Sequence, residues 1–125
     1  VTKISRYSYA ETLAKLSAAI AGGGNTIFAT IDQSAAAVSV GMILRPTTLI
    51  VFGNPKGGTP FMEAFPAVAL ELPLKLLVWE EPDAVRVAYV SMSEIAARYG
   101  VAGLDARIAA IDGALEALAS SVAVA

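Results

Sequence analysis

The apolar positions along the chain switch between a two-residue and a three-to-four-residue period, and each switch marks an element. Residues 2–8 suit a short strand. Ser8 and Glu11 then form a capping-box pair, in which each side chain can satisfy an orphan N–H near the other. Leu13, Leu16 and Ile20 follow on one helical face, and Gly22-Gly23-Gly24 ends the helix. The strand expected over residues 26–31 alternates Ile27, Ala29 and Ile31 against Thr26, Phe28 and Thr30. Asp32 is a natural N-cap for a short helix over 33–40, which Gly41 closes.

Residues 47–52 are apolar on both faces, Leu49 and Val51 against Ile50 and Phe52, which marks a central strand. A loop over 53–60 follows, with Thr59 as the expected N-cap and Pro60 as the first helical residue. The helix should run through Phe61, Met62 and Phe65, restart at Pro66 and stop at Pro73. Residues 74–81 and 85–91 flank Pro82-Asp83-Ala84 and predict a hairpin. Ser91 and Glu94 repeat the capping box ahead of a helix that Gly100 ends. In the last helix, over 104–122, Leu104, Ile108, Ile111, Leu115, Leu118 and Val122 recur at alternating spacings of four and three. That stripe suits either packing on the chain's own sheet or pairing with a second helix.

The order β-α-β-α-β-α-β-β-α-α, with its closing hairpin, favours an α+β fold over a doubly wound sheet. The expectation is a two-layer domain spanning residues 1–125, with a mostly antiparallel sheet and helices on one face.

Composition sharpens this picture. Of 125 residues, 56% are hydrophobic and 16% are charged, which excludes a disordered chain. The apolar surplus fits a sheet buried on both faces, an oligomer interface or an apolar pocket. A net charge of −2, with nine scattered basic residues, argues against a nucleic-acid partner. The chain has neither Cys nor His, so no thiolate nucleophile, disulfide, Cys/His zinc site or Ser-His-Asp triad is available. No cofactor or metal is expected. No uncharged run is long and apolar enough to span a bilayer, so a soluble, cytoplasmic protein is expected. The chain starts at Val1, and a removed leader stays open.

The loop over 53–60 carries the most specific chemistry. Gly57 and Gly58 would let backbone approach a ligand, the N–H groups after Thr59 would face outward, and Lys56 would add charge. Together these suggest a corner for a phosphate, carboxylate or sulfate; a simple turn capping a helix is the alternative. It is not a P-loop, because Gly58 is followed directly by Thr59 with no intervening lysine. Asp32, Gln33 and Asn54 are candidate polar groups beside it. Trp79, the only Trp, shares a strand face with Lys75 and Leu77 and is either core, dimer contact or pocket wall. Glu80, Glu81 and Asp83 belong to a solvated hairpin end.

Five segments together resemble a known family. They are Ile31-Asp32-Gln33-Ser34, Leu44-Arg45-Pro46-Thr47-Thr48-Leu49, Phe52-Gly53-Asn54-Pro55-Lys56-Gly57-Gly58-Thr59-Pro60, Leu70-Glu71-Leu72-Pro73-Leu74-Lys75 and Leu77-Val78-Trp79-Glu80. In order and spacing, from about residue 11 to 103, the series is similar to the bacterial and archaeal domain of unknown function 302. The resemblance implies a compact α+β domain, often self-associating, with no established activity. It also implies three departures: Gln33 and Tyr99 stand where the family commonly has His, and Glu71 where it commonly has Asp. Lacking imidazole, this member suits binding more than catalysis.

The leading functional expectation is therefore a homodimer that binds a small anionic or amphipathic ligand without catalysis. Its site would comprise Asp32, Gln33, Asn54, Lys56, Gly57, Gly58, Thr59 and Trp79. The alternatives are an interaction protein without ligand, or an enzyme using Asp32 or Lys56 as base.

Overall fold

The computed structural model describes all 125 residues. Five strands, β1 (Thr2–Ile4), β2 (Thr26–Asp32), β3 (Thr47–Gly53), β4 (Leu74–Glu80) and β5 (Val85–Ala88), form one sheet. Its order is β1-β5-β4-β3-β2, and every neighbouring pair is antiparallel. Five helices join them: α1 (Tyr9–Gly22), α2 (Gln33–Ser39), α3 (Pro55–Ala64), α4 (Met92–Tyr99) and α5 (Asp105–Ser120). This is the expected α+β architecture.

The Ser half of each capping box acts as its sequence implies, whereas neither Glu carboxylate takes the N–H of its Ser. Ser8 Oγ accepts the Glu11 N–H at 3.1 Å and donates to Glu11 Oε1 at 3.0 Å. Ser91 Oγ accepts the Glu94 N–H, and Gly100 takes the left-handed conformation that closes α4. A cap of this kind contributes about 1 kcal/mol.

One sheet face is buried beneath α1 and α5. Ile50, Phe52, Leu76, Val78, Val85 and Val87 pack there against Leu16 and Ile20 of α1 and Leu115 and Ala119 of α5. A smaller cluster of Phe61, Val68, Met92 and Ile95 joins α3 to α4, and Ile111 packs against both clusters. The four-three stripe of α5 is thus used within the chain: Leu115 and Val122 are fully buried.

The opposite sheet face is apolar but only half-buried. Cross-strand register sets Ile31, Leu49 and Leu77 in one row and Thr47, Trp79 and Arg86 in the next. The chain ends meet at the outer edge. The Val1 amino group donates to the Tyr89 carbonyl at 2.9 Å, and the Val124 N–H donates to the Ile4 carbonyl at 2.9 Å.

Three elements differ most from expectation, and β5 also stops short, at Ala88 rather than at 91. Strand β1 stops at Ile4, because Ser5 turns inward and its hydroxyl bonds Thr12 at 2.7 Å. Strand β2 carries a bulge between Ile27 and Ala29. Ile27 pairs with Phe52 on the helix side, whereas Ala29 and Ile31 pair with Val51 and Leu49 on the open side. The single alternation read over 26–31 is therefore split between two faces, as an extra residue in a strand requires. Helix α3 begins at Pro55 rather than Pro60, with Asn54 as its cap. Asn54-Pro55 offers the same cap-then-proline chemistry as Thr59-Pro60 and comes first along the chain. Pro60 is carried inside the helix, and the restart at Pro66 is a 3-10 turn, Pro66–Leu70.

Candidate functional site

Strand β3 separates the residues singled out from the sequence. Asp32 pairs with Thr48 and Trp79 with Thr47, both near the start of β3, whereas Gly53 ends it and leads into Asn54. Five residues of extended chain place these ends roughly 16 Å apart. Asp32, Gln33 and Trp79 therefore lie at one end, and Asn54, Lys56, Gly57, Gly58 and Thr59 at the other.

At the first end the side chains have local partners. Asp32 Oδ1 accepts from Ser34 Oγ at 2.6 Å and from the Ala35 N–H at 2.9 Å, so it caps α2. The Ser34 bond, followed by the Ala35 bond, holds its carboxyl below the usual range. Gln33 is exposed as the first residue of α2. Trp79 lies on the open sheet face, where its indole N–H donates to Glu81 Oε1 at 3.0 Å.

At the second end the expected anion corner does not form. Asn54 Oδ1 accepts the Lys56 N–H at 3.0 Å, and the Asn54 carbonyl accepts from Gly57 at 2.9 Å and Gly58 at 3.1 Å. The backbone donors assigned to a ligand are spent on starting α3. Lys56 is exposed and lies outside the cavity beside it.

That cavity, of about 330 Å³, is what this end of the molecule offers. Its floor is Phe52, Gly53 and Leu74 from the strand ends, with Leu72 and Pro73 beside them. Gly57, Gly58, Thr59 and Met62 of α3 form one wall. Ala110, Ile111, Ala114, Leu115 and Leu118 of α5 form the other. Phe28, thrown out by the β2 bulge, stands at the edge and is 54% exposed. The polar side chains are Asn25, Asn54 and Thr59, and no ionisable side chain lines the space.

Small residues keep it open. A Cβ on Gly58 would project to 3.7 Å from both Leu72 Cδ1 and Met62 Cε. Ala110 and Ala114, one helical turn apart, present short side chains where longer ones would fill the space. Such a mainly apolar hollow with a few polar groups is the usual form of a small-molecule site.

Four expected site residues line the cavity together with Gly53: Asn54, Gly57, Gly58 and Thr59. Sequence reasoning missed Asn25, Phe28, Met62, Leu72–Leu74 and the α5 residues. One signal was available: Phe28 is an aromatic in the otherwise polar row Thr26, Thr30 of its strand. The α5 contribution is non-local and has no such signal.

The strongly perturbed groups lie elsewhere and act structurally. Glu116 on α5 accepts from Lys3 Nζ at 2.8 Å, Tyr89 Oη at 2.8 Å and Ser120 Oγ at 3.0 Å. Lys3 is the main cause that lowers its pKa to about 2. Burial, then the bond to Glu116, pushes the Tyr89 phenol up to about 12. Asp112 accepts from the Met92 and Ser93 N–H groups and the Ser93 hydroxyl, joining α5 to the start of α4. Tyr99 Oη donates to Glu71 Oε1 at 3.0 Å, so two of the three departures noted above meet in space; Gln33 does not join them.

The chain is similar to the fluoride-specific ion channel FluC 1 of Brucella suis biovar 1, at 41% identity over 81 residues. The match covers 65% of this chain and 32% of that protein. The FluC 1 of Brucella abortus biovar 1 matches to the same extent, over 30% of its length. This chain thus spans about a third of those relatives, and no helix in it is long and apolar enough to cross a membrane. A crystal structure of an uncharacterized conserved DUF302 protein from Bacillus stearothermophilus superposes with a TM-score of 0.89 at 17% identity. It covers 98% of this chain and 96% of that one, and shows the same fold. The family model for the domain of unknown function DUF302 matches residues 1–118, and the chain belongs to that family.

Proposed function

We propose that this protein is a non-catalytic binding domain, working as a homodimer, that holds a small amphipathic molecule between α3 and α5. The carrying observation is the cavity itself: about 330 Å³ of mainly apolar space, with three polar side chains and no ionisable one. That lining supplies burial and hydrogen bonds, and it supplies no acid or base to move a proton. Asp32 and Lys56, the residues an enzyme reading would use, are both outside it.

Self-association is supported by an exposed apolar segment in and just after α2. Val38, Val40, Met42 and Ile43 are exposed, and no charged residue occurs from Gln33 to Leu44. An uncharged apolar patch meets its own copy without like-charge repulsion, as a two-fold interface requires.

The ligand test is a thermal-shift screen of small amphiphiles, run on the wild type and on Ala114→Phe. A compound at a hundred times its Kd stabilises by about 2.7 kcal/mol, which moves Tm by several degrees. Ala114→Phe should fold normally, because Ala114 is exposed on α5, and should lose the shift. If no amphiphile raises Tm, the interaction-protein alternative takes precedence.

A further inference from the structure

The cavity's chemistry narrows the ligand further, taking as given that it is a ligand site. We propose that its ligand is electrically neutral: an apolar body carrying a hydrogen-bond acceptor such as a carbonyl, ether or hydroxyl oxygen.

An anion would find no counter-charge in this space. A carboxylate or sulfate drawn into this space loses water and needs a counter-charge or several N–H donors to replace it. No basic side chain lines the space. The N–H groups of Lys56, Gly57 and Gly58, the natural substitutes at a helix start, are already bonded to Asn54. A cation fares no better, since no carboxylate lines the cavity.

The polar side chains that remain are Asn54 and Thr59 on the α3 side and Asn25, whose NH₂ reaches the Ile20 carbonyl at 3.5 Å and whose Oδ1 can accept; the Thr59 hydroxyl can donate or accept. Asn54 Oδ1 faces the Lys56 N–H, which fixes the orientation of the carboxamide and leaves its NH₂ without a protein partner. The Thr59 hydroxyl makes no hydrogen bond to the protein. Both can donate to a neutral oxygen at the α3 wall. The apolar body of the ligand would then cover Phe28, an aromatic left more than half exposed, and lie along Ala110 and Ala114. A neutral head needs only these few hydrogen bonds, so its desolvation is matched by the partners present.

Two fluorescent probes with the same body test this. 6-Propionyl-2-(dimethylamino)naphthalene is neutral and carries a carbonyl oxygen, and 6-(dimethylamino)naphthalene-2-sulfonate has a sulfonate in place of that acyl group. The neutral probe should bind saturably and at least tenfold more tightly than the sulfonate, and Ala114→Phe should abolish its binding. Thr59→Lys, at an exposed position on the cavity wall, should close the gap by bringing a cation to the sulfonate. Equal or tighter sulfonate binding, lost in Ala114→Phe, would overturn neutrality and leave the cavity as a ligand site. Failure of both probes, or binding untouched by Ala114→Phe, would count against the site itself and the neutral-ligand proposal with it.

Discussion

Glu116 shows how much one side chain organises. It gathers Lys3 from β1, Tyr89 from the end of β5 and Ser120 from its own helix, and so ties the first strand to the last helix. Its carboxyl titrates at about 2 in the fold against an ordinary 4.5. A carboxylate with a depressed pKa stabilises the fold above the unfolded value and loses that contribution as pH falls through the folded one. The stability lead of the wild type over Glu116→Gln should therefore be flat above about pH 5 and shrink between 4.5 and 2. Urea titrations of both proteins across that range check it; a lead that is constant with pH would refute the assignment. At the alkaline end the sign is opposite in form. The unfolded chain releases the Tyr89 proton near 10 while the fold keeps it to about 12, so stability falls across that interval.

Among the elements, those defined by local chemistry were legible in the sequence and those defined by distant neighbours were not. Both serine caps, the central strand and the closing hairpin follow from residues within a few positions of one another. The start of α3 was misplaced because two cap-proline pairs, Asn54-Pro55 and Thr59-Pro60, compete, and local pattern does not rank them. The consequence was large: an expected ring of free N–H donors became a satisfied helix turn. The β2 bulge was hidden for a related reason. Its register is set by pairing with β3, and alternation along β2 alone reads straight through it. Phe28 is the visible product of that bulge. Because it is half exposed, Phe28→Ala should change Tm by little while weakening the neutral probe several-fold, as a lost aromatic contact does. Parallel melting curves and probe titrations separate the two effects, and a large Tm loss without a binding loss would contradict the role.

At the scale of the whole molecule, the apolar surplus noted in the composition has two destinations. Part of it fills the core and cavity on the helix side of the sheet. The rest faces outward, in the rows around Leu49 and Leu77 and in the segment that follows α2, where Ile43 is 98% exposed. Patches of several hundred Å² on a small protein mark contact surfaces, and a stable dimer needs on the order of 800 Å² from each partner. Light scattering should return twice the chain's mass for the wild type and the monomer mass for Ile43→Asp, which places a charge at the most exposed apolar position. A wild type that stays monomeric at high concentration would remove self-association from the proposed function. The candidate site was half legible at this scale. The loop after β3 was found, but its partner wall on α5 is brought there only by the packing of the last helix across the sheet.

The meeting of the chain ends beside β1 has a practical consequence. Sheet order puts β1 and β2 at opposite edges, with three strands between them. Neighbouring strands are about 4.8 Å apart, so a segment joined to either terminus leaves the molecule roughly 19 Å from the edge where Phe28 stands. The two ends could be sealed with a short linker and new ends opened in the exposed turn at Gly23-Gly24. The result would be a permuted chain with the same sheet. For the same geometric reason, this fold is suited to being carried on a longer polypeptide at either terminus.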